Sequence, residues 1–409
     1  MAPSRSAVVL TAIAVVVAVA VPFGAARRGR AIVFRDVAYA APSPAGGGGH
    51  LLDLYLPTGD APEGDAPTGY APPEGDAQTG YAPPREAPTG YAPTGDAPPR
   101  DAPTGDAPPG NAPTGDAPPP DAPPRDALTG SARRGTPPPG GLPEDHARRP
   151  ILVWSGGSGW MSDDGKASAE PIARYFTARG WAVAGVSVRS SSQAVFPAQV
   201  HDVKAAIRWL RANADRHRLD PGRVAIMGDS SGGWLAAMAA VTGHAGELEG
   251  DVGVTGPSSA VQAAVDLYGP ADFLAMDAQM LPGACARFNA AYGLRDCHAD
   301  PASPESRLMG FAIRERPDVV ARASPATYAS PSVPPVLILH GLDDDLVPER
   351  QSADLHEALR AAGAPVRYVP VPGAGHSVPQ VLAGGRMADV AAFLAEALGV
   401  PGRGTPARR

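Results

Sequence analysis

The chain is 409 residues long and carries a net charge of −7, from 35 Lys and Arg against 42 Asp and Glu. Its length alone allows two or three domains, but the 49 prolines and 48 glycines are concentrated between Pro57 and about Gly141 and leave sequence for one packed core. No basic stripe marks a nucleic-acid partner, and two cysteines with no ligand partners at typical spacing do not make a metal site.

In chain order, the first segment is Met1–Ala26. One early charge, Arg5, precedes an apolar run from Ala7 to Phe23, and Gly24-Ala25-Ala26 supplies small residues for signal cleavage. The segment reads as an export signal peptide or, if uncleaved, a membrane anchor, so the expected location is secreted or cell-surface. No later stretch is long and apolar enough to span a bilayer. Ile32–Tyr39 and Leu51–Leu56 then read as an opening strand pair.

Residues 58–148 interrupt that start. They fall largely into five-residue units such as Ala-Pro-Thr-Gly-Asp, with tyrosines at Tyr70, Tyr81 and Tyr91. Residues 58–130 hold 12 acidic side chains and 3 arginines, a net −9, so the rest of the chain is about +2 and the acidic balance says nothing about a substrate. Such a stretch has almost nothing to bury and is expected to be a disordered, extended surface insert. Lengthening a flexible loop costs only about 0.6 kcal/mol per doubling, so a fold tolerates it. The insert is either an inert expanded repeat or a means of membrane or cell-wall association.

From residue 150 onward strand and helix signals alternate, which implies an α/β fold with a mostly parallel sheet and helices on both faces. The strands are Ile151–Trp154, Trp181–Val188, Val224–Met227, Ala263–Leu267, Val336–Leu339 and Val366–Val371. Between 197 and 213 the spacing of Val200, Val203, Ile207 and Leu210 predicts a helix with one core-facing stripe. Arg211, Arg216 and Arg218 read as its solvated end. Met387, Val390, Leu394 and Leu398 mark the last helix, and 399–409 reads as a disordered tail.

The chemistry sits in loops that follow strands. Gly228-Asp229-Ser230-Ser231-Gly232 follows Val224–Met227 and opens a helical pattern. This G-x-S-x-G spacing forces Ser230 outward at a tight turn whose glycines remove clashing side chains, while the helix N-terminus aims N–H groups at the same spot. Ser230 is therefore the candidate nucleophile. On this kind of fold the acid and then the histidine follow the serine in sequence. His376, in the loop after Val366–Val371, is the candidate base, whereas His340 at a strand end and His201 in a helix read as structural. The run after His340 offers Asp343, Asp344 and Asp345 as the acid. Ser155–Trp160 is a glycine-rich loop suited to bringing backbone N–H groups to an oxyanion. Cys285 and Cys297 are expected to pair, since an exported chain with two nearby cysteines favours one disulfide.

Taken together, Leu52–Pro57, Phe196–Lys204, Asp220–Val224, the G-D-S-S-G run, Tyr268-Gly269-Pro270, Ser303-Pro304-Glu305, His340–Pro348 and Gly373–His376 resemble the α/β-hydrolase superfamily, esterase/lipase type. Within it they are similar to the feruloyl- and acetyl-xylan-esterase-like carboxylesterase branch. The resemblance covers about residues 33–57 and 150–398. It implies Asp344 as the acid, the fifth residue of an H-G-x-x-D-x-x-V-P pattern. It implies oxyanion donors at Gly156, Gly157 and Ser231, although Ser155 stands where the family usually has His, Ser158 replaces a glycine and Gly159 looks inserted. That departure leaves the loop register open by one residue. Residues 269–330 resemble a cap, with Phe273, Leu274, Met280, Phe288, Tyr292, Trp154, Trp160, Met161 and Trp234 as candidate pocket residues.

The function so implied is an exported serine esterase that cleaves short-acyl or polysaccharide-linked esters through an acyl-enzyme, with no cofactor and no metal. Two other readings remain: a serine peptidase of the prolyl-oligopeptidase type, which has a similar elbow but a β-propeller for which residues before 150 leave no room, and a non-catalytic surface protein whose repeat is the working part.

Overall fold

The computed structural model describes residues 31–58 and 148–401. The leader, residues 59–147 of the repeat insert and residues 402–409 of the tail lie outside the described residues.

Eight strands form one sheet in the order β1-β2-β4-β3-β5-β6-β7-β8. β1 (Ile32–Ala38) and β2 (Leu51–Leu56) pair antiparallel, and β2 pairs antiparallel with β4 (Ala182–Val186). All remaining pairs are parallel, through β3 (Arg149–Ser155), β5 (Leu219–Asp229), β6 (Ala263–Leu267), β7 (Val336–Gly341) and β8 (Val366–Val371). β3, β4, β6 and β7 are buried along nearly their whole length, as expected of a sheet covered on both sides. Every strand expected from the sequence is present.

The helices are α1 (Glu170–Thr177), α2 (Ala198–Ala212), α3 (Ala214–His217), α4 (Ser231–Val241), α5 (Met276–Gln279), α6 (Ala284–Tyr292), α7 (Pro304–Met309), α8 (Pro317–Val320), α9 (Arg350–Ala361), α10 (Val378–Val381) and α11 (Arg386–Ala397). Two apolar clusters lie on opposite faces of the sheet. One takes side chains of α2, α4 and α9, including Ile207, Trp234 and Leu355. The other takes those of α1 and α11, including Phe176, Val390 and Leu394.

α2 is buried on more than its apolar stripe. Lys204 and Arg208 are enclosed and pair with Glu249, Lys204 Nζ at 3.2 Å from Oε2. The arginine run at the end of α2 is not simply solvated either. Arg211 donates to the carbonyls of Pro221, Ser258 and Ala260 and so ties α2 to the loop before β6. Guanidinium groups satisfy several orphan carbonyls at once, which a charge count does not show.

α4 is apolar on all sides and every residue in it is buried. It packs directly against the interior strands β3, β5 and β6 because Gly228 and Gly232 allow it to. A β-carbon on Gly232 would overlap the Ser155 carbonyl, and one on Gly228 would overlap the Gly232 carbonyl.

One buried carboxyl near this region makes stability depend on pH. Asp266 in β6 is wholly enclosed; its Oδ1 accepts the Gly269 N–H at 2.8 Å, and its Oδ2 has no partner among the described residues. Burial pushes its pKa up to about 6, only partly opposed by the Gly269 N–H and by His340. The folded state thus holds this proton more tightly than the unfolded chain. The associated stability is complete below about pH 4 and is lost as pH rises through about 6. Asp266→Asn is expected to raise stability relative to the parent by up to about 3 kcal/mol at pH 8, with little gain at pH 4. Thermal melts of both proteins across that range check it; a difference independent of pH would refute the assignment.

Candidate active site

The site gathers at the carboxyl ends of the parallel strands, where open α/β sheets leave a crevice. Register brings these ends level: Ser155 pairs with Gly228, Asp229 with Leu267, Leu267 with Leu339, and Gly341 with Val371. Each following loop continues the ladder by one bond. Ser230 N–H donates to Leu267 O at 2.9 Å, Tyr268 N–H to Leu339 O at 2.9 Å, and Leu342 N–H to Val371 O at 3.0 Å.

Ser230 lies between β5 and α4 with φ 54° and ψ −124°. This left-handed conformation costs a non-glycine residue about 1–3 kcal/mol and persists only where the surroundings enforce it. Here the Leu267 bond and the packed helix do so. The strain turns the hydroxyl away from the sheet, and Ser230 lines a cavity of about 280 Å³ together with His376.

His376 Nδ1 stands 2.7 Å from Asp344 Oδ2. Asp344 is buried, and its other oxygen accepts the N–H groups of Leu346 and Val347, each at 2.9 Å. Asp343 and Asp345 point outward, and Asp345 pairs with Arg287 at 2.9 Å. His340 is not in the cavity wall. Its Nε2–H donates to Val347 O at 2.9 Å and lies 3.3 Å from Asp344 Oδ2, while Ser352 Oγ meets Nδ1 at 2.7 Å. It braces the acid from behind.

The electrostatics follow from this packing. Burial works against the charged form of Asp344, but the charges and hydrogen bonds of His376 and His340 prevail and hold its pKa well below the usual carboxylate range. Burial likewise opposes an imidazolium at His376. The Asp344 charge and hydrogen bond, with smaller contributions from Asp229 and Asp345, outweigh it and raise the His376 pKa.

The oxyanion side departs from expectation by one residue. Gly157, Ser158, Gly159 and Ser231 line the cavity, whereas Gly156 does not: it packs against Ser168 and Gly165, where a β-carbon would not fit. The Ser231 amide belongs to the first turn of α4, which the helix leaves without an internal acceptor. The Gly157 amide donates to Asp229 Oδ1 and the Ser158 amide to Ser231 Oγ, both at 2.9 Å. The loop is thereby clamped to the serine turn by two side chains, Asp229 and Ser231, whose roles the motif spacing does not reveal. Burial raises the Asp229 pKa against the opposing Gly157 bond and the His376 charge.

The segment 269–330 supplies the outer wall. α6 brings Phe288 and Tyr292, the turn Cys297–Ala299 brings His298, and α7 brings Pro304 and Glu305. Cys285 and Cys297 are joined by a disulfide with Cα atoms 5.6 Å apart, which ties α6 to the turn that carries His298. Of the aromatics considered for the pocket, Trp160, Phe288 and Tyr292 line it. Trp154 and Trp234 are core residues instead, their indole N–H groups donating to Ser168 Oγ and Ala323 O. Phe273 packs edge-on against Trp160 behind the wall, and Leu274 is exposed. Tyr268, whose ring centroid is 4.5 Å from that of His376, is a wall residue that sequence spacing marks only as part of Tyr268-Gly269-Pro270.

The BD-FAE family pattern matches residues 142–359, just over half of the chain. The chain belongs to the BD-FAE family. Ser230 and Asp344 lie within the matched span, and His376 follows it. The chain is 31% identical over 234 residues to Esterase LipQ of Mycobacterium tuberculosis, and 28% identical over 237 residues to Esterase LipC of the same organism. Each match covers 56% of this chain, and 50% and 52% of those relatives respectively; the chain spans about half the length of the curated relatives it matches. Among solved structures, a truncated carbohydrate esterase from gut microbiota superposes with a TM-score of 0.59 at 26% identity, covering 92% of this chain and 100% of that one. A bifunctional GH43-CE protein of Bacteroides eggerthii superposes with a TM-score of 0.58 at 25% identity, covering 89% of this chain and 38% of the other. This BD-FAE member therefore carries the mostly parallel sheet, the serine elbow and the loop stations of an α/β-hydrolase. Among the described residues no cluster of His, Cys, Asp and Glu is arranged to hold a metal ion, and no helix is long and apolar enough to cross a membrane.

Proposed function

We propose that this protein is an exported serine esterase that hydrolyses short-acyl carboxylic esters, including esters carried on carbohydrate, through an acyl-enzyme on Ser230. The observation that carries this reading is the 2.7 Å Asp344–His376 contact beside a strained serine on the same cavity wall. Ser230 Oγ attacks the ester carbonyl while His376 Nε2 takes its proton. The tetrahedral oxyanion is held by the Ser231 amide at the start of α4, since the Gly157 and Ser158 amides are already committed to Asp229 and Ser231 side chains; one such donor is worth roughly 2.7–4 kcal/mol. The C–O bond to the alcohol then breaks, and the alcohol leaves with the proton from His376. Water, deprotonated by His376, cleaves the acyl-enzyme and returns Ser230 as the hydroxyl.

Ester chemistry is supported by the names of the relatives, and carbohydrate-linked esters by the carbohydrate esterase it resembles structurally. A short acyl group is supported by the cavity, whose volume of about 280 Å³ lies at the lower end of small-molecule sites. Export is supported by the apolar N-terminal run and by the disulfide, which persists in oxidising compartments.

The test is turnover of p-nitrophenyl esters of increasing chain length. Acetate and butyrate are expected to exceed palmitate by at least about tenfold in kcat/KM, since forcing further methylenes against a packed cavity wall costs about 1–3 kcal/mol. Equal turnover of palmitate would remove the short-acyl assignment. Cleavage of peptide amides in preference to esters would replace the esterase reading with a peptidase.

A further inference from the structure

The cap-like segment reaches the acid of the site through a single peptide group. The N–H groups of Leu346 and Val347 each donate to Asp344 Oδ1 at 2.9 Å. The Leu346 carbonyl belongs to the same peptide unit as the Val347 N–H. That bond is trans, so its carbonyl and its N–H point in opposite directions in one plane. His298 Nε2 meets this carbonyl at 3.1 Å. A carbonyl only accepts, so Nε2 carries the proton. The 346–347 peptide is therefore held between the His298 ring on one side and the Asp344 carboxylate on the other.

His298 is itself fixed. It is buried, with Nδ1 at 3.0 Å from Asp277 Oδ1 and its ring centroid 4.3 Å from that of Phe288. Its backbone N–H and that of Ala299 also donate to Asp277, and its carbonyl accepts the Ser303 hydroxyl at 2.7 Å. The preceding residue, Cys297, is tied to α6 by the disulfide and by its N–H to Asn289 Oδ1 at 2.8 Å. Burial lowers the His298 pKa, but Glu305 and Asp277 together raise it. The bonds run without a break from Asp277 through His298 and the 346–347 peptide to Asp344 and on to His376. Hydrogen bonds in such a buried chain polarise one another.

We propose that Asp277 and His298 are positioning residues for the acid of the triad, setting the direction of the 346–347 peptide and through it the hold of Asp344 on His376. The inference rests on the esterase reading and adds to it a part played by the outer wall: the segment that shapes the pocket also tunes the base. His298 takes no part in proton transfer to substrate, because both of its ring nitrogens are committed. His376 faces the carboxylates of Asp344, Asp229 and Asp345 and the ring of Tyr268. Of these, only Asp344 accepts from the 346–347 peptide. A residue that merely filled the wall would act on substrate binding and leave the base unchanged.

Two amide substitutions separate the two ring nitrogens. The side-chain nitrogen of glutamine reaches about as far as Nε2, and that of asparagine about as far as Nδ1. Both remove the imidazole charge, so at equal charge His298→Gln keeps a donor for the Leu346 carbonyl and His298→Asn does not. The measurements are kcat, KM and the pH dependence of kcat/KM on p-nitrophenyl acetate, for the full-length protein and both variants. His298→Asn is expected to lower kcat at least about fivefold and to move the acidic midpoint down by about half a pH unit, with KM within about twofold, because a loosened carboxylate supports the His376 imidazolium less. His298→Gln is expected to recover kcat at least about threefold over His298→Asn and to return the midpoint toward the parent's, since the bond to the peptide is restored. Equal effects of the two variants overturn the proposal, as does a raised KM with kcat and midpoint at the parent's values. If His298→Asn does not fold, Asp277→Asn decides. It removes the charge at the far end of the chain, and kcat and midpoint are expected to fall together. A fall in the midpoint alone would be that charge acting through space, and no change in either would break the chain; both outcomes overturn the proposal. Absence of ester turnover in the parent protein would instead defeat the esterase reading, a result separable from an active parent with indifferent variants.

Discussion

Ser230→Ala is expected to lower kcat on short-chain esters by at least about 10⁴-fold while leaving the protein folded. The magnitude follows from what a triad nucleophile contributes when the oxyanion donors and the binding pocket remain intact. Folding survives because alanine meets the same φ of 54°, so the backbone strain is unchanged and only a hydroxyl on the cavity wall is lost. Ser230→Gly separates the two effects. It is equally inactive, but glycine tolerates the left-handed conformation, so its thermal melt is expected above that of Ser230→Ala by an amount equivalent to about 1 kcal/mol. Appreciable turnover in the alanine variant would remove Ser230 from the chemistry; a glycine variant that melts below it would remove the strain argument.

The second large effect is expected at Asp344. Asp344→Asn keeps an oxygen for the Leu346 and Val347 amides but turns an amide N–H₂ toward His376 Nδ1, which favours the tautomer with its proton on the wrong nitrogen. A kcat loss on the order of 10⁴-fold follows. The pH profile carries an independent signature. His376 acts only when neutral, and its pKa is raised in the folded protein, so parent activity is expected to fall with decreasing pH from a midpoint above 6.5. Burial lowers the His376 pKa, and it is chiefly the Asp344 carboxylate that raises it. Removing that charge therefore moves the midpoint of the residual activity downward. An unchanged midpoint in Asp344→Asn would show that the carboxylate does not control the base.

Asp344 also shows where reading the residues alone stops. Three consecutive aspartates follow the β7 strand, and nothing in their composition ranks them; the family pattern points to Asp344, and the fold gives the reason. Asp344 is folded back to accept two amides of its own turn and is enclosed beside His340, whereas Asp345 extends outward to Arg287. The oxyanion loop is a similar case. Its glycines announce a close approach, but the register is decided by Asp229 and Ser231 capturing the Gly157 and Ser158 amides. Those partners are 72 and 73 residues away in sequence and meet only because β3 and β5 are neighbours in the sheet.

What the chain sequence determined by itself is the set of local geometries. Apolar runs of strand length set the sheet, and glycines around Ser230 set a turn that only small residues can make. The station of His376 after the last strand follows from the same short-range rules, since backbone sterics and burial period act within a few residues. The tertiary structure alone decided which side chains face the cavity. Trp154 and Trp234 went to the core, Trp160 and Tyr268 to the wall, and His298, Asp277 and Glu305 came together from a segment of short helices with no long apolar period. Direction in such a segment is set by packing against distant strands, by the Cys285–Cys297 link and by pairing of buried charge, none of which is encoded in the spacing of neighbouring residues.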